Sequence, residues 1–139
     1  MDLTEADIDV LRETYRRVAA EPLLTGGLFY DRLFEIAPEL RPLFPADMEQ
    51  QGIKLMSMLG AIVAKMHDYE ALHPLIGDLA RRHLRYGARP EHYGAIGEAL
   101  LWTLDQRLGR EFEGEPREAW NRAYLALMHV MIAEAYPAA

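Results

Sequence analysis

Leu72-His73-Pro74-Leu75-Ile76-Gly77-Asp78-Leu79-Ala80-Arg81-Arg82-His83-Leu84-Arg85-Tyr86-Gly87 is the stretch that decides the fold. Leu75, Ile76, Leu79 and His83 lie three, four, seven and eleven residues after Leu72, the spacing that gathers side chains on one face of an α-helix. The pattern predicts a helix over 71–86. Gly87 is its expected stop, because glycine enters the left-handed conformation that closes many helices without a steric penalty. A histidine stands at the end of the apolar stripe, where another leucine would have served packing alone.

The same period continues in both directions, and no segment alternates as a strand would. Thr4-Glu5-Ala6-Asp7 resembles a capping box and opens a helix carrying Ile8, Leu11, Tyr15 and Val18 up to Pro22. A second helix is expected over 23–37, then a short turn over 38–44 between prolines, then a long helix over 47–66. Beyond Gly87, Pro90 is expected in the first turn of a helix reaching Leu108, and a last helix runs from near Pro116 to Ala135. Short connections between six to seven helices of unequal length predict an all-α fold. At 139 residues, the chain is expected to form a single domain over 1–139.

Composition narrows the function. Net charge is −7, and 15 Lys and Arg scattered among 22 acids predict no basic face, hence no nucleic-acid partner. The longest apolar run, Leu55 to Ala64, is broken by Ser57 and Gly60 and is too short for a bilayer. The N-terminus lacks the basic-then-apolar pattern of a signal peptide. A cytoplasmic protein with no membrane partner is the expectation. No cysteine is present, which excludes disulfides, iron–sulfur clusters and thiolate-held metals. Any metal must be held by histidine or carboxylate.

Four residues upstream of Gly87 then matter together. His83 follows Gln51 by 32 residues, Phe44 by 39 and Tyr30 by 53. Each has a plain structural reading. A lone histidine on an apolar face is usually a core residue bonded to a carbonyl. Tyr30 lies on the stripe Gly27, Tyr30, Phe34, Ala37 and could simply pack. Gln51 heads the stripe Leu55, Met58 or Leu59, Ile62, and could be solvated. Phe44 could be core. The sharper reading is a neutral imidazole on a haem iron, its other nitrogen on the carbonyl of Leu79 one turn back, with a polar pocket for a diatomic ligand opposite. Gly26 and Gly52 favour it. Each is unfavourable inside a helix by about 1 kcal/mol relative to alanine, and a close crossing of two helix backbones would explain both.

On these residues the chain resembles the globins, most of all the single-domain bacterial haemoglobins and the haem module of flavohaemoglobins. The matching segments are Phe29-Tyr30-Asp31-Arg32-Leu33-Phe34, Pro38-Glu39-Leu40-Arg41-Pro42-Leu43-Phe44, Gln51-Gly52-Ile53-Lys54-Leu55-Met56, and Arg82-His83 with Tyr86-Gly87. His92-Tyr93, Gly97-Glu98-Ala99-Leu100-Leu101, Ala119-Trp120 and Ala123-Tyr124 continue the match, so it extends from Leu11 to Glu134. The resemblance implies a globin fold around a haem b pocket. It implies His83 as the proximal iron ligand, Phe44 as the wedge on the haem, and Tyr30 and Gln51 as distal hydrogen-bond donors. Leu55 would lie beside the ligand. Leu79, Tyr93 and Ile96 would wall the cofactor, and Lys54 and Arg82 would meet its propionates, with solvated surface cations as the alternative for those two.

The resemblance further implies reversible binding of O2, NO and CO. Two roles follow: O2 storage, or NO dioxygenation and hence NO detoxification. A gas sensor acting through protein contacts is the alternative, and the chain is expected to be a monomer or homodimer. One departure stands out. A glutamate on the last helix completes a proximal network in flavohaemoglobins, and Glu134 falls one residue early, which turns its side chain by about 100°. Only two alanines follow Pro137, so electrons for turnover are expected from an external reductase.

Overall fold

The computed structural model describes residues 3–136. In chain order it contains α1 (Glu5–Ala19), α2 (Pro22–Ile36), a 3-10 turn (Pro38–Leu43), α3 (Met48–Lys65), α4 (Tyr69–Arg85), α5 (His92–Leu108), a second 3-10 turn (Gly109–Phe112) and α6 (Glu115–Ala135). No strand occurs among the described residues. None of the helices is long and apolar enough to cross a membrane.

Local chemistry sets the ends. Thr4 Oγ1 accepts the Asp7 N–H at 3.0 Å and the Thr4 N–H donates to the Asp7 carboxylate at 3.2 Å, so the capping box predicted for α1 is formed. α4 starts two residues earlier than its apolar stripe predicts. The Asp68 carboxylate accepts the Ala71 N–H at 3.3 Å and caps it, and the helix carries Pro74 inside. Pro90 lies ahead of α5 rather than in its first turn. There the Arg89 N–H donates to His92 Nδ1 at 3.0 Å. The turn Gly109–Phe112 was not foreseen, and it buries Phe112 completely.

The end of α4 is closed twice over. Gly87 has φ +93°. Its N–H donates to the Leu84 carbonyl at 3.1 Å, and the Ala88 N–H donates to the His83 carbonyl at 3.0 Å. This is the paired bonding of a Schellman motif, and it fixes the turn of helix that carries His83.

Two apolar cores form. One joins α1, α4, α5 and α6 through Leu11, Val18, Leu72, Ile76, Leu104 and Trp120. Trp120 Nε1 donates to Thr14 Oγ1 at 2.7 Å, so its one polar atom is satisfied inside. The other gathers Phe29, Tyr30, Leu33, Leu40 and Ala99, with Phe34 and Phe44 at its edge. In this second core α2 crosses α3 at Gly26 and Gly52. A Cβ on Gly26 would stand 2.7 Å from Gly52 Cα and 2.9 Å from its carbonyl oxygen, closer than real Cβ atoms come. The glycine pair is therefore what allows the crossing. Gly27, which the periodicity places on the buried stripe, is exposed with open space around it. The buried face of α2 is instead Gly26, Phe29, Tyr30 and Leu33.

Candidate functional site

Where the two cores meet they leave a cavity of about 450 Å³, within the range of small-molecule and cofactor sites. All ten residues singled out in the sequence line it. Tyr30 comes from α2, Phe44 from the end of the first 3-10 turn, and Gln51, Lys54 and Leu55 from α3. Leu79, Arg82 and His83 come from α4, Tyr93 and Ile96 from α5.

His83 is held by a neighbour in its own helix. Its Nδ1 lies 2.9 Å from the Leu79 carbonyl oxygen. A carbonyl only accepts, so Nδ1 carries the proton and Nε2 keeps its lone pair. Burial pushes the imidazole below its usual pKa. The Leu79 bond opposes that shift, and the neighbouring Arg82 charge adds to it. A neutral, oriented imidazole with a free Nε2 in an apolar cavity is the form that binds a metal.

Tyr30 and Gln51 stand on the helices that cross at the glycine pair. The Tyr30 ring packs edge-on against Phe29 at 4.9 Å and Phe44 at 5.2 Å, and lies over Phe34 at 5.9 Å. Three aromatic neighbours fix the ring, and its hydroxyl belongs to the cavity wall. Burial pushes this hydroxyl's pKa up, and hydrogen bonding with the Gln51 side chain works against the rise. Tyr30 therefore stays a neutral O–H donor at physiological pH.

The α5 side is less complete. The Tyr93 ring lies over His83 with centroids 6.3 Å apart and planes 26° from parallel. Its hydroxyl is buried without a partner. Burial first, and the neighbouring Tyr136 second, push the Tyr93 pKa up to about 12. No carboxylate answers it. Glu134, one residue early for a proximal network, lies against His73 instead, with Oε1 3.2 Å from Nε2. At the rim Arg82 pairs with Asp78 at 2.7 Å while its Nε is buried and unpartnered. His92 also lines the cavity, from the start of α5 beside Tyr93.

Sequence reasoning missed two tyrosines. The Tyr124 hydroxyl donates to the Tyr93 carbonyl, and that of Tyr136 to the Ala88 carbonyl. Both tie α6 to the wall that carries His83 and Tyr93. Gly97 was the available signal for Tyr124. A Cβ there would stand 2.4 Å from the Tyr124 ring, so a glycine in mid-helix marks where another residue's ring must fit.

The cavity fits one kind of metal site and not another. Among the described residues no group of three or more His, Cys, Asp or Glu could hold a bare ion. A metal carried in a large apolar ring needs only one protein nitrogen, and among the lining residues His83 Nε2 would be placed to supply it. Apolar walls, two polar donors and one imidazole are the donor set such a ring requires.

Comparison with known proteins agrees. Residues 27–131 match the protein family described as Globin. The chain is also similar to a protein named Flavohemoprotein from Rhizobium meliloti (strain 1021), 29% identical over 132 residues. That match covers 93% of this chain and 33% of the relative, so the chain spans about a third of the length of the curated relative it matches.

Proposed function

This chain belongs to the globin family, and from that premise we propose that it binds haem b through His83 and takes O2, NO and CO reversibly in a Tyr30/Gln51 pocket. The observation that carries the reading is the state of His83: neutral, held at Nδ1 by the Leu79 carbonyl, with Nε2 free in the cavity. Bound there, haem would supply an iron able to take a diatomic gas, with His83 as the residue that would hold it.

The chain's own residues do the rest. Leu79 sets the tautomer and orientation of His83, and the closed end of α4 holds that turn in place. Lys54 and Arg82 at the rim offer positive charge to carboxylates on a ligand's edge. Leu55 and Phe44 keep the interior apolar. Tyr30 offers an O–H and Gln51 an amide N–H. Hydrogen bonds to a group bearing charge contribute about 1.5–3 kcal/mol, or roughly ten- to a hundredfold in affinity. The pocket should thus favour a ligand that acquires negative charge, as O2 does, over CO. Retention of O2 suits storage, or NO dioxygenation when an external reductase supplies electrons. The kinship with a flavohemoprotein supports the second role.

The test is spectroscopic, then kinetic. Purified protein supplied with haem should take it up stoichiometrically with a sharp Soret band, and form stable O2 and CO complexes once reduced. Tyr30→Phe should release O2 about ten- to a hundredfold faster and change CO release little. Release at the wild-type rate would remove the distal donor from the reading. Nitrate yield from NO, measured with a reductase present, separates dioxygenation from storage.

A further inference from the structure

Two histidines line the cavity, His83 from α4 and His92 from the start of α5, and the backbone prepares them in opposite ways. His83 Nδ1 faces a carbonyl oxygen, so Nδ1 carries the proton and Nε2 keeps its lone pair. His92 Nδ1 faces the Arg89 N–H at 3.0 Å. A backbone N–H only donates, so Nδ1 of His92 accepts and the neutral ring carries its proton on Nε2. The lone pair of that ring is engaged. His92 in this state has none free for a metal, and has one N–H to give to an acceptor.

The cavity wall offers that N–H no carboxylate. No Asp or Glu is among the lining residues, and Nε2 makes no hydrogen bond to another described residue. Glu91, next to it in the chain, is exposed and stands outside the lining. The bond at Nδ1 has a structural use of its own. With the His92 N–H donating to the Arg89 carbonyl at 3.0 Å, it closes the turn ahead of α5. A shorter acceptor such as asparagine would serve that turn as well, and the use leaves Nε2 unexplained. The turn also continues into the His83 segment. Ala88, just before Arg89, donates its N–H to the His83 carbonyl and accepts the Tyr136 hydroxyl.

We infer that His92 is a positioning residue of the cavity, whose Nε2–H holds a carboxylate on the edge of the bound ring. The inference rests on the reading that the cavity takes haem, which carries two such carboxylates. Its role differs from that of the two cations at the rim. Lys54 supplies a point charge on a flexible stem, and Arg82 is divided between this edge and Asp78. His92 is neutral, and its ring is aimed by the backbone before any ligand arrives. A hydrogen bond to a carboxylate is short and directional, so it fixes how the ligand is turned as well as how firmly it is held. Through Arg89 and Ala88 the same edge is tied to the turn that carries His83.

Asparagine and glutamine separate the two ring nitrogens. His92→Asn keeps an acceptor near the place of Nδ1 and loses the donor beyond it. His92→Gln reaches as far as Nε2 with an N–H and loses the nearer acceptor. Each protein is loaded with haem, and its loss to excess cofactor-free myoglobin is followed at the Soret band. His92→Asn and His92→Leu should lose haem about three- to tenfold faster than wild type, and His92→Gln should recover most of the difference. Loaded instead with haem dimethyl ester, whose carboxylates are masked, wild type and His92→Asn should differ by less than about twofold. Rescue by asparagine and not by glutamine would reduce His92 to a turn residue. Wild-type loss rates in all three variants, or an undiminished difference with the diester, would equally overturn the inference while leaving the haem reading intact. A wild type that forms no Soret band fails the haem reading, and the inference with it. Nitrogen-15 NMR of the cofactor-free chain at mildly alkaline pH gives an independent readout. It should place the proton on Nδ1 of His83 and on Nε2 of His92, and a His92 proton on Nδ1 would overturn the inference by itself.

Discussion

The two walls of the cavity are built differently. On the α2–α3 side two helix backbones touch at Gly26 and Gly52, and Tyr30 is wedged among three aromatic rings. On the α4–α5 side a single side-chain bond orients His83, and the tyrosine stacked on it has an unpartnered hydroxyl. The first wall is specified by packing, where a single methyl group matters. The second is specified by hydrogen bonds, one made and one unmade. Perturbing each wall in its own currency should therefore give effects of different kind and size.

The largest effect should come from His83. Losing even the outer partner of a metal-bound histidine weakens binding by about 10–100-fold, so losing the ring should exceed that. His83→Leu, which keeps an apolar side chain at the site, should lose stoichiometric haem on gel filtration while circular dichroism still reports a helical protein. Haem retained at wild-type strength by His83→Leu would mean that another residue holds the iron.

Next comes the glycine crossing. Gly26→Ala drives a methyl group to 2.7 Å from Gly52 Cα. Backbone cannot yield as a flexible side chain can, so urea unfolding should show a loss of about 1–3 kcal/mol. Gly27→Ala is the matched control. It lies one residue away in the same helix with nothing within 4 Å of its added Cβ, and should gain about 0.4–1 kcal/mol from chain entropy. If both alanines stabilise, the two helix backbones do not meet at Gly26 and Gly52.

A smaller effect belongs to pH. The folded-state pKa of His83 is lowered from 6.5, chiefly by burial. The unfolded chain therefore binds more protons as pH falls through 6.5. Stability contributed by the neutral imidazole is present above that value and lost as pH falls toward the lower folded pKa. Unfolding curves of the cofactor-free protein between about pH 7.5 and 5 should slope downward toward acid, and His83→Leu should be flatter. Identical slopes would show that the ring is not buried as a neutral group.

The same division explains what was legible beforehand. Apolar periodicity located all six α-helices, because each presents a continuous stripe to a core. Gly26 and Gly52 were legible because a glycine inside a helix is unfavourable unless something approaches closely. Most of the lining residues were named through the resemblance to the globins rather than through periodicity, which put Gly27 on the buried stripe beside Tyr30 where Gly26 stands instead. What was missed depends on neighbours. Asp68 starts α4 ahead of its first apolar position, where no stripe is visible yet. Gly109–Phe112 is held by burial of one phenylalanine. Tyr124 and Tyr136 reach the α4–α5 wall only because α6 lies across it, and no local pattern encodes where a ring on one helix meets a carbonyl on another.

The smallest effect should be at Tyr93, and it is the sharpest probe of the unfinished wall. A buried hydroxyl without a partner forfeits its bonds to water, which costs about 1–3 kcal/mol. Tyr93→Phe removes that penalty and keeps the ring that stacks on His83. Its net change in the cofactor-free protein should be near zero or slightly stabilising. Tyr124→Phe, which deletes a made bond to the Tyr93 carbonyl, should instead lose about 0.5–1.5 kcal/mol. Alkaline pH gives a second reading of the same group. With its folded pKa raised from 10.0 to about 12, Tyr93 holds its proton in the folded chain while the unfolded chain releases it. Its contribution is therefore present below pH 10 and lost as pH climbs toward 12. Wild type should lose stability across that interval more steeply than Tyr93→Phe. A clear loss of stability in Tyr93→Phe at neutral pH would mean that the hydroxyl does find a partner, such as a water, and that the two walls are more alike than their side chains suggest.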